Sequence, residues 1–409
     1  MYKRLDKCLC CNNPDLRLML DLGKQPLANS FHDKQTELPK FDLQLMLCNF
    51  CWHNQLSVAV DPNLLFKNYL YVSGTSQTLK DYCDWFATHY TKQMVGDRKL
   101  NSERREPSKV ILDIACNDGT QLDSFDKLSW NTWGVDPAEN LYERSIEKGH
   151  IVVNQFWSAE VAKTLPEFDL IIAQNVFAHT SGLVDFLEAC KLVMRDDTLL
   201  VIQTSQADMF KNYEFDTIYH EHINFFSVTS MYKLTNSLGL YLNRVFKTPI
   251  HGTSFVFEIG KKERKVDESV NEAIREEEKH NVLYYEDYAR IARACLEDFS
   301  HLTNVVKKTM NKKIVGYGAA AKGMTVLNSG KIQLDYIVDD NPLKQNLYCP
   351  GSNIPIYPSS KLQEEADDIF IVPLAWNFFK EIKNKVRSLR PNKKDKFIRY
   401  FPKLRIVND

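Results

Sequence analysis

The chain has 409 residues, enough for two or three domains with their own buried cores, and its 44% apolar content with mixed charges is that of an ordinary globular protein. A net charge of −1 provides no field to gather nucleic acid or an anionic membrane surface, so neither is expected as a partner, and an acidic ligand must be held by local groups. No apolar run is long enough to cross a bilayer and none follows Lys3 and Arg4 as in a secretory leader, so a cytoplasmic location is expected.

Five of the ten cysteines fall in the first 51 residues. In a cytoplasmic chain clustered cysteines read as metal ligands, and scattered ones, here Cys83, Cys116, Cys190, Cys295 and Cys349, as small core residues. Cys8-Leu9-Cys10-Cys11 and Cys48-Asn49-Phe50-Cys51 each present a C-x-x-C pair from one tight turn. Two such turns make a four-sulfur tetrahedron with no open position, so a structural zinc ion is expected on Cys8, Cys11, Cys48 and Cys51, with Cys10 a bystander. The absence of a basic surplus argues against a zinc ribbon that grips nucleic acid.

Helical spacing with Tyr82, Trp85, Phe86 and Tyr90 runs from Ser76 to Met94, and Gly96 to Ser108 is polar and linker-like. From Lys109 the pattern turns to strands and helices in alternation. Val110-Ile111-Leu112, Trp133-Gly134-Val135, Leu170-Ile171-Ile172 and Leu199 to Ile202 are continuous apolar runs, as in a parallel sheet covered on both faces, and Ser254 to Ile259 reads as a late strand closing it.

Asp113 to Thr120 follows the first strand and opens a helix, where a doubly wound sheet binds its ligand. Asp136 ends the next strand, where a carboxylate can take ribose hydroxyls. That spacing fits S-adenosylmethionine (SAM) as well as a dinucleotide, but the loop lacks G-x-G-x-x-G, a loss that phosphate-free SAM tolerates. His179, after Asn175-Val176-Phe177-Ala178, reads equally as a pocket residue or as a histidine satisfied at a helix start.

Phe215-Asp216-Thr217-Ile218-Tyr219-His220-Glu221-His222 gathers two imidazoles, a phenol and a carboxylate within its last four positions. Making a carbon–carbon bond at an unactivated carbon requires removing a proton beside a carbonyl and stabilising the enolate oxygen. A histidine suits the first task and a tyrosine hydroxyl the second, with a carboxylate to fix the histidine's tautomer. A metal site on His-x-His with the glutamate is the competing chemistry. Beyond it, Val266 to Met310 carries an apolar stripe through Tyr288, Ala292, Phe299 and Leu302, and a second α/β unit starts at Lys313, with strands at Ile314-Val315, Tyr336 to Val338 and Ile369 to Val372.

Nearly end to end, the chain resembles the sugar C-methyltransferases of deoxysugar pathways. The C-x-x-C pairs are similar to that family's zinc domain. The Asp113-x-x-x-Asn117-Asp118-Gly119-Thr120 loop resembles its SAM loop, with Ala115-Cys116 in place of Gly-Ser. Gly134-Val135-Asp136-Pro137 and Asn175-Val176-x-Ala178-His179 resemble the two cofactor motifs that follow, and Phe215 to His222 matches its F-D-T-I-Y-H-E-H block at every position. Gly316-Tyr317-Gly318-Ala319-x-x-Lys322-Gly323 and Asp339-x-Asn341-Pro342-x-Lys344-Gln345 resemble its C-terminal signature. Two places depart from the pattern: His251-Gly252-Thr253-Ser254, and Pro373 to Asn377, where a compact Pro-Trp-Asn pattern is spread out.

The resemblance implies an α/β protein: a class I SAM-dependent methyltransferase (Rossmann-like) core between an N-terminal zinc-binding domain and a C-terminal α/β Rossmann-like domain. The domains expected are 1–68 for zinc, 69–260 for SAM, 261–311 for linker helices and 312–409 for the last unit. It implies cofactor contacts at Asp113, Asn117, Asp118, Gly119, Thr120, Asp136, Asn175 and His179. Tyr219, Glu221 and His222 become the catalytic candidates, and Tyr71 joins them from a Tyr71-x-Ser73 segment. The reaction implied is methylation of a nucleotide-linked, dTDP-type 4-keto-6-deoxy-sugar at C3, by deprotonation alpha to the ketone. His222 is then the base, oriented by Glu221, with Tyr219 on the enolate oxygen, although Tyr219 itself can serve as the base. The alternatives are a keto-sugar epimerase or reductase with a dinucleotide on Gly316 to Gly323, and a non-catalytic zinc-containing binding protein. No protein partner is implied.

Overall fold

A computed structural model describes residues 1–67, 69, 72–96, 109–263, 267–401 and 403–407. Tyr71 and the linker-like stretch from 97 on lie outside them. The central sheet has seven strands in the order Tyr241–Thr248, Ser254–Gly260, Met194–Thr204, Phe168–Gln174, Val110–Ile114, Asn131–Val135, Ile151–Val153. Neighbours run parallel except Ser254–Gly260, which is antiparallel to both of its own. This is the class I methyltransferase arrangement, with the strand order reversing at Val110–Ile114.

The continuous apolar runs are explained by burial on both faces. Along Phe168–Gln174, Ile171 and Ala173 enter one core, while Leu170 and Ile172 enter the other with Leu199 and Val201. Side chains that alternate between faces in a doubly covered sheet must all be apolar. The helix Gln77–Val95 packs Phe86 and Tyr90 into the second core and stops at Gly96, whose φ of 79° suits a residue without Cβ.

N-terminally, Leu16–Gln25, Phe41–Cys48 and Asn54–Leu56 form an antiparallel sheet whose fourth strand is Asn224–Phe225, from just beyond the Tyr-His-Glu-His run. C-terminally, a six-stranded sheet places Ile314–Tyr317 between Tyr336–Val338 and Phe370–Pro373, all parallel. The helix Glu268–Lys308 has 41 residues, about 60 Å of rise, and buries Tyr288, Ala292 and Phe299. One apolar cluster joins all these parts: Leu45 and Leu47, Phe215 and Ile218, Tyr288 and Phe299, and Leu327 and Leu374. The N-terminal sheet, the long helix and the C-terminal sheet therefore share a core with the Phe215 to His222 run.

Candidate active site and zinc centre

The four sulfurs of Cys8, Cys11, Cys48 and Cys51 lie within 4.8 Å of one another. Cys8 and Cys51 are 3.5 Å apart and Cys11 and Cys48 are 3.6 Å apart. Zinc–sulfur bonds of about 2.3 Å give tetrahedral edges of about 3.8 Å, so the set fits zinc. Both turns are built alike: the amide of Asn12 donates to the Cys8 carbonyl and that of Trp52 to the Cys48 carbonyl, with φ of 60° and 63°. Cys10 is a bystander here, its sulfhydryl directed at the Ser230 carbonyl.

At the reversal of strand order a cavity of about 450 Å³ opens between the sheets. Asp113, Asn117, Asp136, Asn175 and His179 line it; Asp118, Gly119 and Thr120 do not. Those three secure the loop. Asp118 accepts from the Gly74 amide at 3.1 Å and from the Thr120 hydroxyl at 2.7 Å, and Asn117 Oδ1 accepts from the Ser73 amide. A Cβ on Gly74 would lie 2.6 Å from Asp118 Oδ2, so the approach requires glycine. Asp136 accepts the amides of Asn117 and Ala138, both at 2.8 Å, one per oxygen. Each oxygen keeps a second lone pair for a ribose hydroxyl. Burial raises the pKa of Asp113, and the nearby Asp136 adds to it.

The residues present suit SAM. Gln121 Oε1, Gln174 Nε2 and Asn175 Oδ1, all on the cavity wall, are buried and have no hydrogen-bond partner among the described residues. Buried polar atoms of this kind are normally satisfied, and a bound nucleoside and amino-acid moiety would satisfy them.

At the other end of the cavity, the turn that closes with the His222 amide on the Tyr219 carbonyl brings two side chains three positions apart face to face. Their ring centroids are 4.1 Å apart, and Tyr219 Oη lies 2.8 Å from His222 Nε2. His222 Nδ1 lies 2.8 Å from the Thr217 carbonyl, which can only accept, so Nδ1 carries the proton and Nε2 accepts from the tyrosine. Burial pushes the His222 pKa well below its ordinary value, so the ring is neutral, with its lone pair at Nε2. Here the expectation that Glu221 orients His222 is corrected, because the Thr217 carbonyl does so. The glutamate turns the other way, accepting from Asn29 at 2.6 Å and Tyr69 at 3.3 Å.

His220 also turns away from the cavity, edge-on to Phe41 at 5.8 Å, and among the described residues no metal-holding group forms around His-x-His. His179 stacks on Phe66 at 5.5 Å, with its ring centroid 5.1 Å from that of His222, and burial lowers its pKa to about 4. The structure adds His251 and Lys322 to the same wall, from segments 29 and 100 residues beyond His222. In the last unit the glycine loop is filled by the chain itself: the Ala319 amide donates to Asp339 and Lys344 donates to the Ala319 carbonyl. A dinucleotide would find those groups taken.

Three family profiles match the chain in succession. A zinc binding domain profile matches residues 8–66, a methyltransferase domain profile 86–245 and a C-methyltransferase C-terminal domain profile 249–402. The chain is 25% identical to C-methyltransferase NovU of Streptomyces niveus over 100% of its length and 98% of that protein's. A ubiquinone biosynthesis O-methyltransferase of Bradyrhizobium sp. (strain ORS 278) is 31% identical over 23% of this chain and 39% of that protein. Among solved structures, magnesium protoporphyrin IX methyltransferase from Synechocystis PCC 6803 with bound S-adenosylhomocysteine aligns at a TM-score of 0.35 and 13% identity, over 46% of this chain and 89% of that one.

Proposed function

The chain belongs to the SAM-dependent C-methyltransferases that join a zinc-binding domain, a methyltransferase domain and a C-terminal domain, and from this premise we propose that its acceptor is a nucleotide-linked 4-keto-6-deoxy-sugar, methylated at C3. The observation that carries the reading is the Tyr219–His222 pair, a phenol bonded to the free nitrogen of a neutral, buried imidazole. Such a pair suits removal of a carbon-bound proton beside a ketone, a step that transfer to oxygen or nitrogen does not need.

Asp113, Asn117, Asp136, Asn175 and His179 would hold SAM, which supplies an electrophilic methyl group when bound. With Nε2 already occupied by the tyrosine hydroxyl, a proton leaving the sugar carbon passes to Tyr219 Oη as the tyrosine's own proton moves to His222. The Thr217 carbonyl holds the ring in the tautomer that can accept it. Glu221, Asn29 and Tyr69 form the wall behind the pair and tie it to the N-terminal sheet. The apolar side chains around the cavity, Phe66, Val176 and Ile223 among them, would limit the water that could return the proton.

Steady-state methyl transfer to the keto-sugar nucleotide, with SAM affinity measured in parallel, tests the pair. Tyr219→Phe and His222→Gln should each lower kcat by about 10²-fold or more while SAM still binds, as for loss of a general base. Undiminished turnover in His222→Gln would remove the assignment.

A further inference from the structure

The wall beside Tyr219 and His222 holds a cation that the proton transfer does not use. Lys322 stands at the start of the helix Ala321–Ser329, and its side chain lines the cavity with Tyr219, His222 and His251. Its Nζ is buried and has no hydrogen-bond partner among the described residues. The nearby Asp216 carboxyl offsets part of the cost of burying this charge, but no acceptor meets the ammonium itself, and a ligand that brings negative charge would supply one. Lys344, from the same unit, has by contrast the Ala319 carbonyl.

The position of Lys322 is fixed from both sides of the domain junction. Nζ lies 5.1 Å from the centre of the Trp376 ring, and the Trp376 indole N–H donates to Asp216 Oδ2 at 2.6 Å. One turn along the helix, the Thr325 hydroxyl donates to the Ile218 carbonyl at 3.1 Å. Asp216 and Ile218 belong to the run that carries Tyr219 and His222, so lysine and base are set in one frame. The base needs little further help: burial is the main reason His222 and His251 stay neutral, and the Lys322 charge adds to it.

Negative charge appears at this end of the cavity at one point in the reaction, when the carbon–hydrogen bond beside the ketone breaks. We infer that Lys322 is the group that receives it: its ammonium donates to the ketone oxygen and holds the enolate oxygen as it forms. The electron pair of the broken bond moves into the enolate and the proton goes to the Tyr219–His222 pair. The oxygen's charge rests against the ammonium, and no further reactant is needed. Preorganised donors at a developing oxyanion act this way. The assignment rests on the keto-sugar reading above.

The test is the rate of deuterium uptake at the carbon beside the ketone, in deuterated buffer with saturating dTDP-linked 4-keto-6-deoxy-glucose, for wild type, Lys322→Met and Lys322→Arg. SAM affinity and Tm are measured on the same samples. Uptake should fall about 10²-fold or more in Lys322→Met, with SAM affinity and Tm near wild type, and recover in part in Lys322→Arg. Uptake within about threefold of wild type overturns the inference. So does a loss confined to KM for the sugar nucleotide, which would put the ammonium on the phosphates. Lys322→Gln is read in the same way where the methionine variant does not fold. Absence of uptake by the wild-type enzyme overturns the keto-sugar reading itself, and the oxyanion with it.

Discussion

Glu221 sits next to His222 in the chain but faces the opposite way, and its surroundings make its charge pH-sensitive. Burial pushes its carboxyl up from 4.5 to about 7, against the pull of the Asn29 and Tyr69 donors. A carboxyl whose folded pKa exceeds its unfolded value binds its proton more tightly in the folded state. It therefore contributes stability that is fully present below the unfolded pKa, and that contribution is lost as pH rises through the folded value of about 7. The side-chain amide of a Glu221→Gln variant cannot ionise. The Tm difference between variant and wild type should shift in the variant's favour between about pH 4.5 and about pH 8, by an amount worth up to about 3 kcal/mol. A pH-independent difference would mean that the carboxyl titrates at its ordinary value. From the sequence, Tyr219 and His222 could be picked out because one short run gathers a phenol and two imidazoles and resembles the sugar C-methyltransferase block at every position. The direction of Glu221 could not, since adjacency in a tight turn does not say which wall a side chain faces. His251 and Lys322 reach the cavity from distant segments, and no sequence pattern gave either a role there.

Five of the seven described strands of the central sheet and three of the six of the last were legible, because a strand buried on both faces is an unbroken apolar run, as in Leu170 to Ala173 and Ile369 to Val372. Asn224–Phe225 was not, since two residues carry no period, and its pairing with Asn54 and Gln55 depends on where the N-terminal sheet docks. That pairing couples the zinc centre to the proposed active site. The strand Phe41–Cys48 ends on a zinc ligand and pairs with Asn54–Leu56, which pairs with the strand two residues beyond His222. One zinc per chain is therefore expected in the purified protein. Cys48→Ser, or removal of the metal by a chelator, should lower Tm and also reduce methyl transfer, although no zinc ligand lines the cavity. Metal-free protein that keeps both its Tm and its activity would show that the sheet holds without the ion.

Across the whole molecule, the order zinc unit, methyltransferase unit and second α/β unit was readable from the cysteine pairs and the two onsets of alternating strands and helices. Their joint closure over one cavity was not, because it rests on contacts between residues far apart in sequence, such as Trp376 with Asp216 and Asn29 with Glu221. These contacts set the third unit against the cavity. Its glycine loop is filled by Asp339 and Lys344, while Lys322 on its helix Ala321–Ser329, backed by Trp376, completes the wall beside His222. The shared core through Phe215, Tyr288 and Leu374 opposes independent movement of the parts, so the reacting end is built in advance.

The central claim is that this protein forms a carbon–carbon bond beside a ketone. It is tested most directly by incubating the full-length protein with dTDP-linked 4-keto-6-deoxy-glucose and SAM carrying a ¹³C-labelled methyl group, and then recording the NMR spectrum of the product. An aliphatic methyl signal correlated to C3 is expected, with the proton at C3 gone. A methoxy signal, or label left entirely in SAM while the protein binds both ligands, would contradict it.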